Sequence, residues 1–431
     1  MLVLGFAGLI LAGALLLMTP LALQPGKSLK FIDALFTATS AVCVTGLVVV
    51  DTGTHYSVFG QMVILTLIQV GGLGVMTVTT LLAVAAGKKI NLRERLLIQE
   101  ATNQLDLSGV VKLTLTIIKT TLVVEFIGGS ILAFRLYQDF GPQGVYFGFW
   151  HAVSAFCNAG FDLFGNYTSI TSYVDDITVS ATVAALIIIG GIGFPVIADV
   201  WNYRRTRRLS LHSKIVLLTS LLLIIGGASV VFLAEYTNPD TLGQLPPWVM
   251  IMASLFKAIT ARTAGFNTID TGALREGTLL FIMLLMFIGA SPSSTGGGIK
   301  TSTFTVLLCA LAASFRSRKD AEVFRRRIPE GSVNKAFILA MISWSWVLVL
   351  SMLMSFTEDA PLIKVMFEVF SAFGTVGLST GITPTLSPVG KALIILTMFA
   401  GRVGTVTLIM ALILRKRTGN IQYPEGKLLI G

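Results

Sequence analysis

Four times in this chain a short apolar segment, too short to cross a bilayer, runs into a glycine turn and is followed by a long apolar run. The turns are Val44-Thr45-Gly46-Leu47, Asn158-Ala159-Gly160-Phe161, Thr263-Ala264-Gly265-Phe266-Asn267 and Thr375-Val376-Gly377. Their central glycines, at 46, 160, 265 and 377, are spaced by 114, 105 and 112 residues, which marks an internal fourfold repeat. A half-span, a glycine turn and a full span is the pattern of a re-entrant pore loop. Four copies in one chain can surround a single axis without oligomerisation.

The medium is set by composition: 54% of the residues are hydrophobic and 13% charged. Runs at 1–23, 63–86, 216–234 and 278–290 have the length that spans ~30 Å of hydrocarbon, or interrupted versions of it. Residues 1–23 have neither a basic n-region nor a small-residue cleavage site, so they read as a retained first span and not as a signal peptide. The net charge of +10 is concentrated in loops that follow the second span of each repeat: 88–95, 204–214, 316–335 and 415–417. Such loops belong in the cytoplasm, and so do both termini. The basic clusters therefore point to lipid or a protein partner, and nucleic acid is not expected. Cys43, Cys157 and Cys309 lie in apolar context and suggest neither disulfide nor metal site. Three histidines without useful spacing argue against an enzyme.

The fold expected is an all-α membrane protein, with four repeats of transmembrane helix, re-entrant pore helix with filter loop, and transmembrane helix around a pseudo-fourfold pore. Pore repeat 1 covers 1–88, a cytoplasmic linker helix 89–107, repeat 2 108–205, repeat 3 212–320, repeat 4 335–414 and a cytoplasmic tail 415–431. The half-spans are placed at 31–43, 145–157, 249–260 and 361–370, and the returning spans of repeats 1 and 2 read as continuous helices over 61–86 and 178–201. In repeat 3 the returning run is interrupted by Gly289-Ala290-Ser291-Pro292-Ser293-Ser294-Thr295-Gly296-Gly297-Gly298-Ile299-Lys300, and only this repeat is expected to be broken. Non-helical backbone at that depth must be buried in protein or face water, which makes the stretch a candidate gate. Gly71, Gly72, Gly74, Gly190, Gly191 and Gly193 read as packing positions. Lys119 and Glu125 read as a structural intramembrane pair or contact, and His151 as a helix-start hydrogen-bonding residue.

A cation leaving water needs oxygens at close range, and a ring of backbone carbonyls supplies them without carboxylates that would hold it too tightly. Carbonyls converge only where the backbone takes unusual dihedrals, which glycine adopts at little steric cost. Each half-span also aims its C-terminal carbonyl end at the centre, favouring a cation there. An organic-solute carrier would account for the spans but would have no need of four half-spans ending in glycine turns.

Together the four turns, the broken loop at 289–300 and Arg402 resemble the Trk/Ktr/HKT superfamily of potassium transporters, and most of all its bacterial Ktr membrane subunits. The likeness covers essentially the whole chain. It implies that Val44, Thr45, Gly46, Asn158, Ala159, Gly160, Thr263, Ala264, Gly265, Thr375, Val376 and Gly377 form a K⁺ filter, with K⁺ the transported ion and Na⁺ a candidate stimulating ion. Members with serine at the first glycine tend to pass Na⁺, whereas Gly46 stands there here. The resemblance further implies that residues 289–300 gate the pore beside Arg402. It implies a homodimer in a bacterial plasma membrane, seated on a cytoplasmic ring of nucleotide-binding regulatory subunits of the KtrA type. ATP or ADP would bind that partner and not this chain, which has no Walker or Gly-x-Gly-x-x-Gly sequence.

Overall fold

The computed structural model describes residues 2–74, 110–318 and 320–404. The linker expected at 89–107, the tail at 415–431 and their basic residues lie outside the described residues. Within them the chain forms 15 α-helices and one short hairpin, arranged as four units. The first holds α1 (Leu2–Leu17), α2 (Phe31–Cys43), the single turn α3 (Thr52–His55) and α4 (Val58–Leu73). The second holds α5 (Val110–Phe140), α6 (Pro142–Phe156), α7 (Ile177–Ile192) and α8 (Phe194–Thr206). The third holds α9 (Leu211–Glu235), α10 (Pro247–Thr260), α11 (Glu276–Phe287) and α12 (Thr301–Phe315). The fourth holds α13 (Glu330–Thr357), α14 (Leu362–Gly374) and α15 (Pro388–Val403). Between the third and fourth, β1 (Glu322–Val323) and β2 (Arg326–Arg327) pair antiparallel, a feature that the basic run there did not announce.

Helices α5, α9 and α13, of 31, 25 and 28 residues, are long enough to cross a bilayer alone. They leave Phe126, Phe134, Leu233 and Phe356 exposed, as suits a lipid-facing wall. The re-entrant helices α2, α6, α10 and α14, of 13 to 15 residues, have buried C-terminal halves pointing inward. Pro142 and Pro247 start two of them at the first turn, where a missing N–H costs nothing. The returning helices α4, α7 and α15 begin at side-chain caps, Ser57, Asp176 and Ser387. Each cap is in turn held by the outer end of its own unit. Ser57 N–H donates to Ala22 O, Arg135 pairs with Asp176, and Ser387 N–H donates to Glu358.

One expectation is corrected here. The returning run of the second repeat is not a continuous helix over 178–201, because it bends by 97° between α7 and α8 at Gly193. Gly74, Gly193 and Gly404, with φ of 86°, 99° and 91°, end the returning helices at equivalent points. The third repeat is therefore not the only broken one, and its break is longer than that of the second. The last glycine of each Gly-Gly-x-Gly pattern is a helix terminator, since a positive φ there is incompatible with continuing the helix. The first glycine fits the packing reading. A Cβ on Gly71, Gly190 or Gly401 would collide with the backbone carbonyls of Val42, Phe156 or Phe373, in the last turns of α2, α6 and α14.

The fourth unit closes onto the first where α15 crosses α2, and there Lys391 Nζ meets Asp33 Oδ1 at 2.6 Å with both side chains mostly buried. Lys391→Met should lower stability by about 1–3 kcal/mol, because it leaves a mostly buried carboxylate unpaired. Adding Asp33→Asn should recover most of the loss; thermal melting in detergent checks both, and an unchanged melt for the single variant would contradict the pairing.

Candidate functional site

The four re-entrant helices end against one another. A Cβ built on Gly46 would collide with the carbonyl oxygen of Ala159, and one on Gly160 would lie 2.6 Å from that of Ala264. One on Gly265 would lie 2.6 Å from Val376 O, and one on Gly377 would collide with Thr45 O. Each repeat thus abuts the next and the fourth returns to the first, which is a closed ring of four carbonyls and four glycines. The glycine φ values, 89°, 68°, 83° and 92°, are in the region that L side chains rarely adopt. Glycine is required here twice over, by dihedral and by space.

The residue two positions before each glycine also has positive φ: Val44 59°, Asn158 59°, Thr263 79° and Thr375 50°. Three of these are β-branched, for which the conformation is costly and persists only when its surroundings over-determine it. Those surroundings are hydrogen bonds from the re-entrant helices. The N–H of Thr45, Ala159, Ala264 and Val376 donates to the carbonyl of Ser40, Ser154, Thr260 and Ser371, at 2.8, 2.8, 2.9 and 2.8 Å. The hydroxyls of the same four residues bind the next link. Ser40 and Ser371 accept from Gly46 and Gly377 N–H at 3.1 Å, while Ser154 and Thr260 donate to Phe161 and Phe266 carbonyls at 2.8 Å. The amide donors of Thr45, Gly46, Ala159, Ala264, Val376 and Gly377 are thereby consumed by the re-entrant helices, and the carbonyls of Thr45, Ala159, Ala264 and Val376 are left to face the neighbouring repeat. A hydroxyl residue five or six positions before each glycine is the sequence signal that the motif reading missed.

The stretch at 289–300 lies directly beneath. It is a looped-back hairpin whose two ends run parallel where Ile288 meets Ile299, closed by Gly289 N–H to Ile299 O (2.8 Å), Ala290 N–H to Gly297 O (3.3 Å) and Ile299 N–H to Phe287 O (3.2 Å). Gly296 packs against the Thr263 hydroxyl, and Gly297 N–H donates to Thr375 Oγ1 at 3.0 Å. The stretch also binds the α7–α8 break: Ser291 N–H donates to Gly191 O (3.0 Å), Thr295 N–H to Gly190 O (3.3 Å) and Phe194 N–H to Ser293 O (3.0 Å). Thr263 itself is hydrogen-bonded to the Asn158 side-chain amide at 3.3 Å.

Arg402, near the end of α15, links the third repeat to the first. Its guanidinium donates to Thr295 O in the hairpin and to Gly71 O and Gly72 O at the end of α4. Among the described residues it has no acidic partner, so carbonyls receive the whole charge. Lys300 Nζ adds a second cation at the hairpin's other end and donates to Gly296 O at 2.7 Å.

Two sequence expectations are corrected. Of the pair or contact expected at Lys119 and Glu125 only a contact of Glu125 is present: Lys119 is exposed, while Glu125 is buried and accepts from Gln69 Nε2 at 3.2 Å, beside Cys157. Six residues along a helix is more than one and a half turns, which turns the two side chains to different faces. His151 is not at a helix start either. It lies in the inner half of α6, and Leu163 N–H donates to its Nε2 at 3.1 Å while Nδ1 is 2.6 Å from Phe147 O. The imidazole is therefore neutral, with its proton on Nδ1.

Residues 9–421 match the family described as TrkH, cation transport protein. The chain is 46% identical to the Ktr system potassium uptake protein B of Bacillus subtilis, over 100% of this chain and 96% of that protein. It is 41% identical to the potassium/sodium uptake protein NtpJ of Enterococcus hirae, over 99% and 96%. The crystal structure of the potassium transporter TrkH from Vibrio parahaemolyticus superposes with a TM-score of 0.75 over 96% of this chain and 84% of that one, at 17% identity, a likeness of fold.

Gly265→Ala should melt lower than Gly381→Ala, although both glycines have positive φ, because Gly381 faces open space and Gly265 faces Val376 O. The shared backbone cost is roughly 1–2 kcal/mol. Equal shifts in a detergent melt would contradict the tight ring.

Proposed function

Because this chain belongs to the TrkH family of cation transport proteins, we propose that it carries potassium into the cell across the plasma membrane, through the ring at Gly46, Gly160, Gly265 and Gly377. The observation that supports this best is the closed succession in which each ring glycine abuts the carbonyl of the following repeat. An ion losing its water in ~30 Å of hydrocarbon needs such oxygens, and four inward-aimed helix C-termini add favourable potential for a cation. Val44, Thr45, Asn158, Ala159, Thr263, Ala264, Thr375 and Val376 complete the proposed filter. The choice of K⁺ over Na⁺ rests on kinship, through glycine at position 46 and through relatives named as potassium uptake proteins. The relative named for both potassium and sodium supports Na⁺ as a second, stimulating ion.

Residues 289–300 are proposed as the gate. The hairpin occupies the space under Thr263 and Thr375, so an ion that has crossed the ring meets it next. Arg402 holds the hairpin to the end of α4, and its charge with that of Lys300 opposes a cation while the hairpin is in place. Opening then requires exchange of the Arg402 bonds. Kinship with a Ktr system supports a partner subunit, proposed here as a cytoplasmic ring that binds ATP or ADP beneath a homodimer of this chain. Both termini would face that ring.

Uptake by the purified chain in liposomes tests the proposal: flux should favour K⁺ and Rb⁺ over Na⁺, and flux of Na⁺ alone would overturn the selectivity. Gly46→Ser should lower the K⁺/Na⁺ flux ratio several-fold. Arg402→Gln, or shortening within 289–300, should raise resting flux by roughly tenfold, the factor given by ~1.4 kcal/mol off a barrier. Unchanged resting flux in both would remove the gate assignment.

A further inference from the structure

Three residues before Ser40, Ser154, Thr260 and Ser371 stand Thr37, His151, Lys257 and Glu368. The four share one register on the re-entrant helices although no two are of the same chemical type. All are 2% exposed or less. A buried ammonium, a buried carboxylate and a buried imidazole at one equivalent position are expensive, and apolar residues would fill the space at no such cost.

Each side chain reaches the same target, the segment of its own repeat that leads outward from the ring glycine. Glu368 accepts from Ser379 Oγ (2.7 Å), Thr380 N–H (2.9 Å) and Thr380 Oγ1 (3.2 Å) through Oε1, and from Thr383 Oγ1 (2.7 Å) through Oε2. Lys257 Nζ donates to Asn267 Oδ1 (3.0 Å) and Thr271 Oγ1 (2.6 Å), and Asn267 N–H continues to Ser169 Oγ of the second repeat (3.0 Å). His151 accepts from Leu163 N–H, and Thr37 accepts only from the more distant Tyr56 hydroxyl at 3.2 Å. No carboxylate contacts Lys257 among the described residues, so its charge is spent on orienting two neutral oxygens.

We propose that Thr37, His151, Lys257 and Glu368 form a second ring behind the filter, of positioning residues that fix its outer segments and so set the discrimination between K⁺ and the smaller Na⁺. This deepens the transport reading above and rests on it. On the size-based account of selectivity, carbonyl oxygens favour the larger ion while they are kept from closing in on the smaller one, and the inner braces at Ser40, Ser154, Thr260 and Ser371 hold each turn only as far as the ring glycine or the residue after it. The second ring holds the segment beyond. Its strength is uneven: charged clamps serve the third and fourth repeats, a neutral imidazole the second and one hydroxyl the first. Glu368 and Lys257 should therefore matter most.

The test is the K⁺/Na⁺ flux ratio in liposomes for Lys257→Met, Glu368→Ala, Glu368→Gln and Thr37→Val, beside the parent. Loss of a multiply bonded charged clamp should lower the ratio by about tenfold in the first two. Glu368→Gln keeps an oxygen for Ser379 and Thr380 and should retain most of the ratio, and Thr37→Val should change it least. A potassium-selective parent whose folded variants lower the rate or the melting temperature but keep the parent's ratio would overturn the second ring while leaving the filter reading intact. A parent with no preference for K⁺ would overturn both. If Lys257→Met or Glu368→Ala yields no monodisperse protein, Lys257→Gln decides, read by the stabilisation that K⁺ gives over Na⁺ in a thermal melt. A K⁺ advantage unchanged from the parent in that variant would likewise overturn the proposal.

Discussion

Backbone that leaves a helix inside a membrane has no water to bond, and the structure at 44–47, 158–161, 263–267 and 375–378 depends on how that demand is met. The donors are taken by the same helix that delivers the turn. Ser40, Ser154, Thr260 and Ser371 each offer a main-chain carbonyl to the ring and a hydroxyl to its next link. With the N–H groups satisfied from behind, the carbonyls face the neighbouring repeat's glycine. The positive φ of Val44, Asn158, Thr263 and Thr375 is the local cost of this arrangement, and the dense bonding around it is what keeps it in place.

The same constraint accounts for the layer below. The stretch at 289–300, with four glycines, bonds partly to itself and partly to the freed groups of Gly190 and Gly191 at the α7 terminus. Arg402 then takes carbonyls from two different breaks, those of the hairpin and of α4. Broken helices that would be liabilities one by one satisfy each other when four repeats bring them to one axis.

Much of this architecture was legible in the chain. The half-span Phe31–Cys43 was readable to the residue because apolar periodicity, an inward run of small residues and a following Thr-Gly coincide there. The ring glycines were readable from their recurrence. Less visible was the second repeat's break, because residues 178–201 are apolar enough to pass as one helix and only the φ of Gly193 separates the two. The positive φ at Val44, Thr263 and Thr375 ran against residue preference and was imposed by tertiary hydrogen bonds. Glu125 makes the structural contact expected of it, but with Gln69, 56 residues away in sequence, and not with Lys119, because sequence proximity does not report helix face.

The central claim is that a dehydrated cation rests among the four carbonyls of Thr45, Ala159, Ala264 and Val376. Anomalous scattering from crystals of the chain grown in Rb⁺ tests it most directly. The account predicts a peak on the axis between these oxygens, displaced by added K⁺ but not by the same concentration of Na⁺. A vacant ring, with Rb⁺ bound elsewhere in the membrane region, would contradict it.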